Sequence, residues 1–436
     1  MMTFDPATPV FWDKADLQSE MTRIFEICQG CRLCDKMCPS FDVLFRRLDA
    51  IDDELTAQKK NESPVAHLVD KDYRTVSDLC YQCKLCYPKC PYTPPHDYLL
   101  DFPRLLLREQ AVHKKEAGIS FGDRMLGNPD RAGAIGTAFP ALMNWANNNG
   151  LLRAAMEATV GIHRDKTLPE YHGEPFEQWF ASWKAKRGAV RNPVAKVAIY
   201  ATCLVNYHNP RIGKALVKVL DHCDVEIVSC QKICCGMPNV STGDLREAIR
   251  KTNANVETLG AFVDQGYDIV IPSPSCSLNI RQDYEHIGTD KERAKAVAAR
   301  SYDAAEYLMK LHAEGLLKSD FSGDAGEVTY HLPCHLKVQN IGFKSRDLLK
   351  LLPGATVTMV QQCSGHDGQW SMKKDYYELS LKAGKKLFDG VKKQPDASVV
   401  SDCAFAHLHI EEGTGKASRH PVELLCDAYG LDANES

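Results

Sequence analysis

The chain reads as a multidomain α/β protein: an α-helical leading segment, a further helical region, then two tandem α/β repeats built on short parallel sheets. Two cysteine runs of identical spacing occupy the first hundred residues, separated by a polar stretch rich in Asp, Glu and Lys. From Val197 onward, short β-branched runs alternate with helical periods, the pattern of βαβ units. That alternation comes twice, with cysteines at matching places, and self-similarity at fixed spacing is harder to produce by chance than a single motif.

The leading segment, residues 15 to 115, carries Cys28-x-x-Cys31-x-x-Cys34-x-x-x-Cys38-Pro39 and Cys80-x-x-Cys83-x-x-Cys86-x-x-x-Cys90-Pro91. Both match the spacing of bacterial ferredoxins, so this segment is expected to be a helical ferredoxin-type domain holding two 4Fe-4S clusters. Three closely spaced thiolates wrap one face of a cube of iron and sulfide, while the fourth, before proline, reaches the neighbouring cluster. One cluster is therefore assigned to Cys28, Cys31, Cys34 and Cys90, and the other to Cys80, Cys83, Cys86 and Cys38. Zinc also takes four thiolates, but usually as two separated pairs.

Residues 116 to 195 form the helical region and a linker. Leu126, Phe139, Leu142, Leu151, Leu152, Met156 and Val160 recur at near-helical spacing, interrupted by Gly127, Asn128, Pro129 and the Asn147 to Gly150 stretch. Short packed helices are expected, with their apolar stripes in the core rather than on a bilayer face or a partner. From Lys166 to Lys196, Pro169, Gly173, Pro175, Gly188 and Pro193 predict a loop-like linker that packs through Trp179 and Trp183.

The first repeat spans residues 196 to 318, with strands expected at Val197 to Ala201, Val225 to Val228 and Ile269 to Ile271. The second spans 327 to 432, with strands at Val328 to Leu332, Thr356 to Val360 and Ser398 to Ser401. The polar stretch Lys318 to Gly326 separates them. Cys203 corresponds to Cys334, and Cys234, Cys235 and Gly236 correspond to Cys363, Ser364 and Gly365. Ser273, Cys276, Leu278 and Ile280 match Cys403, Ala406, Leu408 and Ile410.

Composition narrows the class. A hydrophobic share of 44%, a charged share of 25% and a formal charge of -4 describe an ordinary globular protein with no basic surplus for nucleic acid. The N-terminus lacks the pattern of a secretory signal, so the eighteen cysteines are expected in the reducing cytoplasm, as ligands or redox groups rather than disulfides. The most apolar stretch, Ala134 to Ala146, is short and broken by Gly136 and Pro140, too short to span a membrane. Peripheral attachment to the inner face of the cytoplasmic membrane stays open.

Along nearly its full length the chain resembles the family of the iron-sulfur C subunit of anaerobic glycerol-3-phosphate dehydrogenase. Wider relatives are the cysteine-rich, CCG-containing iron-sulfur subunits of heterodisulfide reductase and of glycolate and lactate oxidases. The likeness rests on both cysteine runs, on Ala201-Thr-Cys-Leu-Val-Asn-Tyr207, Cys234-Cys-Gly236 and Ser273-Pro-Ser-Cys276. It continues through Tyr330-His-Leu-Pro-Cys-His335, Asp402-Cys403 and Glu411-Glu-Gly-Thr-Gly415 to His420-Pro421. It implies an electron-transfer protein that accepts electrons from a flavoprotein dehydrogenase and passes them toward membrane quinone. No G-x-G-x-x-G follows a strand, which agrees with a relay that borrows a partner's hydride chemistry.

A complete CCG repeat in the wider family supplies five thiolates. The first repeat keeps Cys203, Cys234, Cys235 and Cys276, with Ser273 at the fifth place, and is expected to hold a third cluster. The second keeps Cys334, Cys363 and Cys403, with Ser364 and Ala406 replacing cysteines, so it is degenerate as a site. His331, His335 and His366 are the candidates for an additional ligand there, because imidazole replaces thiolate in Rieske centres, but a His near a strand end is more often an ordinary hydrogen-bonding residue. Cys223, Cys230 and Cys426 fall outside the pattern and read as small buried hydrophobes. Two alternatives remain: a catalytic component of the heterodisulfide reductase kind, and an electron donor to a rubrerythrin-type peroxide-reducing system.

Overall fold

The computed structural model describes residues 4–231 and 233–433. In the leading domain, helices Lys14–Cys31, Pro39–Ala57, Asp70–Asp78 and Phe102–Ala117 enclose an apolar core. Leu17, Met21, Ile24 and Phe25 recur on one face of the first helix and are all buried. Phe102 stacks against Phe25 and Phe41. Asp13 and Asp101 cap two of these helices by accepting the backbone N–H groups of Asp16 and Arg104, and Pro39 starts a third.

The cysteine runs sit where helices end and begin. Cys28 and Cys31 occupy the last turn of Lys14–Cys31, which stops at Arg32 with φ 52°, and Cys38 is the N-cap of Pro39–Ala57. Lys84 holds the matching left-handed place after Cys83, with φ 56°. The same backbone reversal after the second cysteine of each run turns both segments around their thiols.

Each repeat carries a four-stranded parallel sheet. The first contains β1 (Ala195–Ile199), β2 (Val225–Ser229), β3 (Asp268–Ile271) and β4 (Ser301–Asp303), ordered β2-β1-β3-β4. The second contains β5 (Glu327–His331), β6 (Thr356–Val360), β7 (Ser398–Ser401) and β8 (Ser418–Arg419), ordered β6-β5-β7-β8. The register repeats as well: Ile199 pairs with Ser229 in the first sheet, as His331 pairs with Val360 in the second. In each sheet the strand order reverses beside the first strand, and the cysteines follow the carboxyl ends of the three leading strands, where open parallel sheets bind ligands.

The edge strands β4 and β8 are not among the strands expected from the sequence, because three- and two-residue runs of Ser, Tyr, Asp and Arg carry no β-branched signal. The two repeats also share one core. Helix Pro210–His222 of the first packs against Pro421–Ala428 at the far end of the second, joining Leu216 and Leu220 to Val422 and Leu425 in a single apolar cluster.

Two expectations for residues 116 to 195 are corrected. The stretch expected as a linker contains the helix Phe176–Arg187, which buries Phe176, Trp179, Phe180 and Trp183 in the first repeat; its flanking prolines and glycines frame the helix instead of breaking it. The helices between 121 and 160 do not bury their apolar stripes: Phe121, Ile135, Phe139, Leu142, Trp145 and Leu151 are exposed, Leu151 by 85%. Their inward side is made of small and polar groups. Gly133 and Gly136 lie so close to the Tyr207 and Tyr171 rings that a Cβ would meet each at about 2 Å. Asp123 is held by Lys114 and Lys373 at 2.7 and 2.6 Å, and Arg153 donates to three backbone carbonyls. Anchored by glycines and charges, this segment turns its large side chains outward.

Candidate functional site

All eighteen cysteines are free thiols. Fifteen gather in four groups, each at a junction between elements.

In the first group, Cys28, Cys31 and Cys34 line a small cavity together with Cys90 from the second run. Leu33, Phe41, Phe45 and Leu100 supply its apolar walls. Burial pushes the Cys28 thiol well up, and the neighbouring charges of Cys34, Cys90 and Cys31 add to the effect. Cys38 is absent from that lining and lies near Cys80, Cys83 and Cys86 of the second run, as well as near Cys34 and Cys363. Its thiol is pushed up to about 11 by burial, against the backbone N–H groups of Phe41 and Ser40 that favour the thiolate. Cys80 is pushed up to about 12 by burial and by Cys38, and Cys86 is raised by burial and then by Cys80 and Cys38. Gln82 Nε2 donates to Cys80 Sγ at 3.4 Å.

In the first repeat, four sulfurs form a buried chain from Cys203 through Cys234 and Cys235 to Cys276, the last step measuring 3.1 Å. Ser273, where a fifth thiolate would stand, hydrogen-bonds to Cys276. Lys251, fully buried, donates to Gly127 O, Asn128 Oδ1 and Asn239 Oδ1, and its charge favours the thiolate forms of Cys203 and Cys234.

In the second repeat, Cys334, Cys363 and Cys403 line one small cavity. The glycine after each cysteine pair position plays one role twice: Gly236 N–H donates to Cys234 Sγ at 3.5 Å, and Gly365 N–H to Cys363 Sγ at 3.2 Å. Both glycines have positive φ, 89° and 73°, and a Cβ on Gly365 would meet Ser380 O at 2.1 Å. Such N–H···S bonds stabilise the thiolate and, at a cluster, raise its potential.

The imidazoles weighed as extra ligands are engaged in hydrogen bonds. His331 uses Nδ1 on Ser401 and Nε2 on Gln362 O, and His335 uses Nδ1 on Ser275 and Nε2 on Gln82 O. Burial lowers both to about 4, so they stay neutral. His366 Nδ1 accepts the N–H of Gly368, which leaves the ring proton on Nε2 and no free lone pair for iron. Cys223, Cys230 and Cys426 are buried in apolar surroundings.

The residues fit iron-sulfur chemistry. Sulfurs line compact cavities with apolar walls and amide donors, and among the described residues no three His, Cys, Asp or Glu side chains are gathered around a single-ion site. Iron displaces the thiol protons on binding.

The residues that tie the groups together were not among the sequence candidates. Tyr81 hydroxyl lies 3.4 Å from Cys363 Sγ, and Lys84 Nζ forms a buried ion pair with Asp283 at 2.6 Å. Asp130, 104 residues away, accepts the Cys234 N–H at 3.2 Å. Lys84 and Tyr81 sit inside a cysteine run, the one signal that marks them; nothing in the spacing marks Asp130.

Two family models match this arrangement. The Citrate utilization protein B Fer4-like domain matches residues 21–116, and the Cysteine-rich (CCG) domain matches twice, over 197–281 and 328–411. The chain thus belongs to the cysteine-rich CCG-domain family, in the form of a tandem pair behind a Fer4-like iron-sulfur domain. Within that class it is similar to the C subunit of the anaerobic glycerol-3-phosphate dehydrogenase of Escherichia coli K12, 27% identical over 80% of this chain and 98% of that protein. Lactate utilization protein A of Bacillus cereus is 32% identical over 41% of this chain and 75% of its own length. The B subunit of the fumarate reductase (CoM/CoB) of Methanothermobacter marburgensis is 29% identical over 56% of this chain and 48% of its own.

Proposed function

We propose that this chain is an electron-transfer subunit that takes electrons from a flavoprotein dehydrogenase and relays them through iron-sulfur clusters toward quinone or another acceptor. The observation that carries this reading is the exchange of fourth cysteines between the runs. Cys90 joins Cys28, Cys31 and Cys34, and Cys38 joins the group of Cys80, Cys83 and Cys86. That exchange would hold two 4Fe-4S clusters close together, and electron transfer between neighbours needs proximity rather than moving parts. Cys203, Cys234, Cys235 and Cys276 would hold a further cluster.

The relatives named as subunits of a dehydrogenase and a reductase support a flavoprotein partner. Among the described residues no helix is long and apolar enough to cross a membrane. The exposed side chains of the 121–152 segment, with Arg124 and Arg131 among them, suit peripheral contact with a lipid surface, the place where quinone resides. The Cys38→Ala variant tests the relay. In anaerobically prepared protein it should disturb the paramagnetic signal of the cluster on Cys80, Cys83 and Cys86; loss confined to the cluster on Cys28, Cys31 and Cys34 would refute the exchange.

A second reading has one observation in its favour. A cavity of about 330 Å³, whose lining includes Asp130, Glu177, Asn206, Tyr207 and Gln231, opens beside the first repeat, where Gln231 Nε2 lies 3.7 Å from Cys203 Sγ. A small polar molecule reduced there would make the chain catalytic, in the manner suggested by the reductase relative.

A further inference from the structure

The second repeat has lost two of its five family cysteines, and on sequence grounds it reads as degenerate. Its cavity indicates otherwise. The walls that carry Cys334, Cys363 and Cys403 are completed by Tyr81 and Cys83 of the leading domain. Cys83 belongs to a ferredoxin run, yet it lines this cavity beside Cys334, Cys363 and Cys403. Its sulfur stands in the partition between two cysteine groups.

Three neighbouring residues fix that partition. Tyr81 reaches Cys363 with its hydroxyl, while its ring packs on Trp370, whose Nε1 donates to Asp78 O at 3.0 Å. His335 clamps Gln82 O at 2.9 Å, and Lys84 holds Asp283. Tyr81, Gln82 and Lys84 are thus each bound to one repeat or the other, so Cys83 cannot withdraw from the cavity without breaking buried polar contacts.

One group in the cavity wall waits for a ligand. His366 is 5% exposed, its Nε2 carries the ring proton, and that N–H has no partner. A buried donor left unpaired is destabilising. A sulfide or thiolate of a cluster would accept from it, as sulfurs at iron-sulfur centres commonly accept N–H donors.

We propose that the second repeat holds an iron-sulfur cluster of its own on Cys334, Cys363 and Cys403, and that Cys83 is its fourth ligand, shared with the neighbouring ferredoxin-type cluster. The replaced positions, Ser364 and Ala406, are then compensated from the leading domain. The Cys83 sulfur becomes the exit for electrons: one electron leaves the leading domain, one enters the second repeat, and no bond to carbon or hydrogen changes. The route makes the second repeat the receiver.

This proposal rests on the reading that the leading domain carries two clusters, and one experiment separates their failures. The full chain, prepared anaerobically, is compared with its Cys403→Ala, Cys83→Ala and Cys80→Ala variants by iron and sulfide content and by electron paramagnetic resonance during stepwise reduction. Cys403→Ala should lose one cluster's complement of iron and keep both ferredoxin-type signals. Cys83→Ala should lose the second-repeat signal and disturb the cluster on Cys80 and Cys86, whereas Cys80→Ala should spare the second repeat. Should a variant fail to fold, the native chain decides: the second-repeat signal should broaden once the adjoining cluster becomes paramagnetic. Unchanged iron in Cys403→Ala, a Cys83→Ala variant that spares the second repeat, zinc in place of iron there, or absence of that broadening would each overturn the shared ligand. Absence of both ferredoxin-type signals would instead overturn the relay itself.

Discussion

At the scale of single residues, the second repeat stands apart in how its histidines are used: His331, His335, His366, His409 and His420 are all buried and all held neutral. His331 illustrates the consequence. Burial lowers its folded pKa to about 4 from an ordinary 6.5. The unfolded chain then binds the proton first as pH falls, so the contribution of His331 is complete above about pH 6.5 and declines between about 6.5 and 4. The shift corresponds to about 3 kcal/mol. Stability of the anaerobic protein should therefore fall over that window, and His331→Gln should flatten the decline by one proton's worth. An unaltered pH slope would show that this imidazole is already charged when folded. The sequence marks His331, His335 and His366 as candidate ligands because their positions adjoin cysteines; it does not encode which lone pairs the backbone carbonyls and hydroxyls occupy.

Among the elements, the short segment around the second cysteine run governs how the domains meet. The Lys84–Asp283 pair is 8% and 4% exposed. Removing one partner of a buried pair leaves an uncompensated charge and costs about 3–5 kcal/mol, while replacing both with apolar residues is often nearly neutral. Arg104 stays 3.7 Å from Asp283 when Lys84 is removed, so in denaturant titrations Lys84→Ala should lower stability by less than that amount, and Lys84→Met combined with Asp283→Leu should recover most of the loss. Equal losses in the two proteins would mean that packing, not charge, joins the domains. The elements themselves are largely legible in the sequence. Helix periods around Leu17, Met21, Ile24 and Phe25 and the β-branched runs of six strands point to what forms. Edge strands of two and three residues do not, and the helix Phe176–Arg187 is concealed by the Pro and Gly residues that flank it.

Across the whole molecule, two duplications are superposed: paired cysteine runs in front, paired sheets behind, with matching strand orders. Spacing alone exposes both, because ligand geometry and sheet topology repeat at fixed intervals. What spacing cannot expose is contact between the duplicated parts, such as Tyr81 with Cys363 or Cys83 in the second-repeat cavity, since those meetings are tertiary. The outward face of the 121–152 segment is likewise hidden, because an apolar helical stripe looks the same whether it faces a core or a lipid. If that face lies on a membrane, the full chain should float with anionic phospholipid vesicles, and Leu151→Glu with Trp145→Glu should reduce the bound fraction at least about tenfold, the effect of roughly 1.4 kcal/mol. Undiminished flotation would place the contact elsewhere.

The central claim is that eight leading cysteines enclose two cubes of iron and sulfide in electronic contact. It is tested most directly by counting iron and acid-labile sulfide in the anaerobically isolated full chain and recording its resonance spectrum on reduction. The account predicts iron and sulfide in equal amounts and a spectrum split by interaction between neighbouring reduced clusters. Colourless protein that carries zinc instead of iron would contradict it.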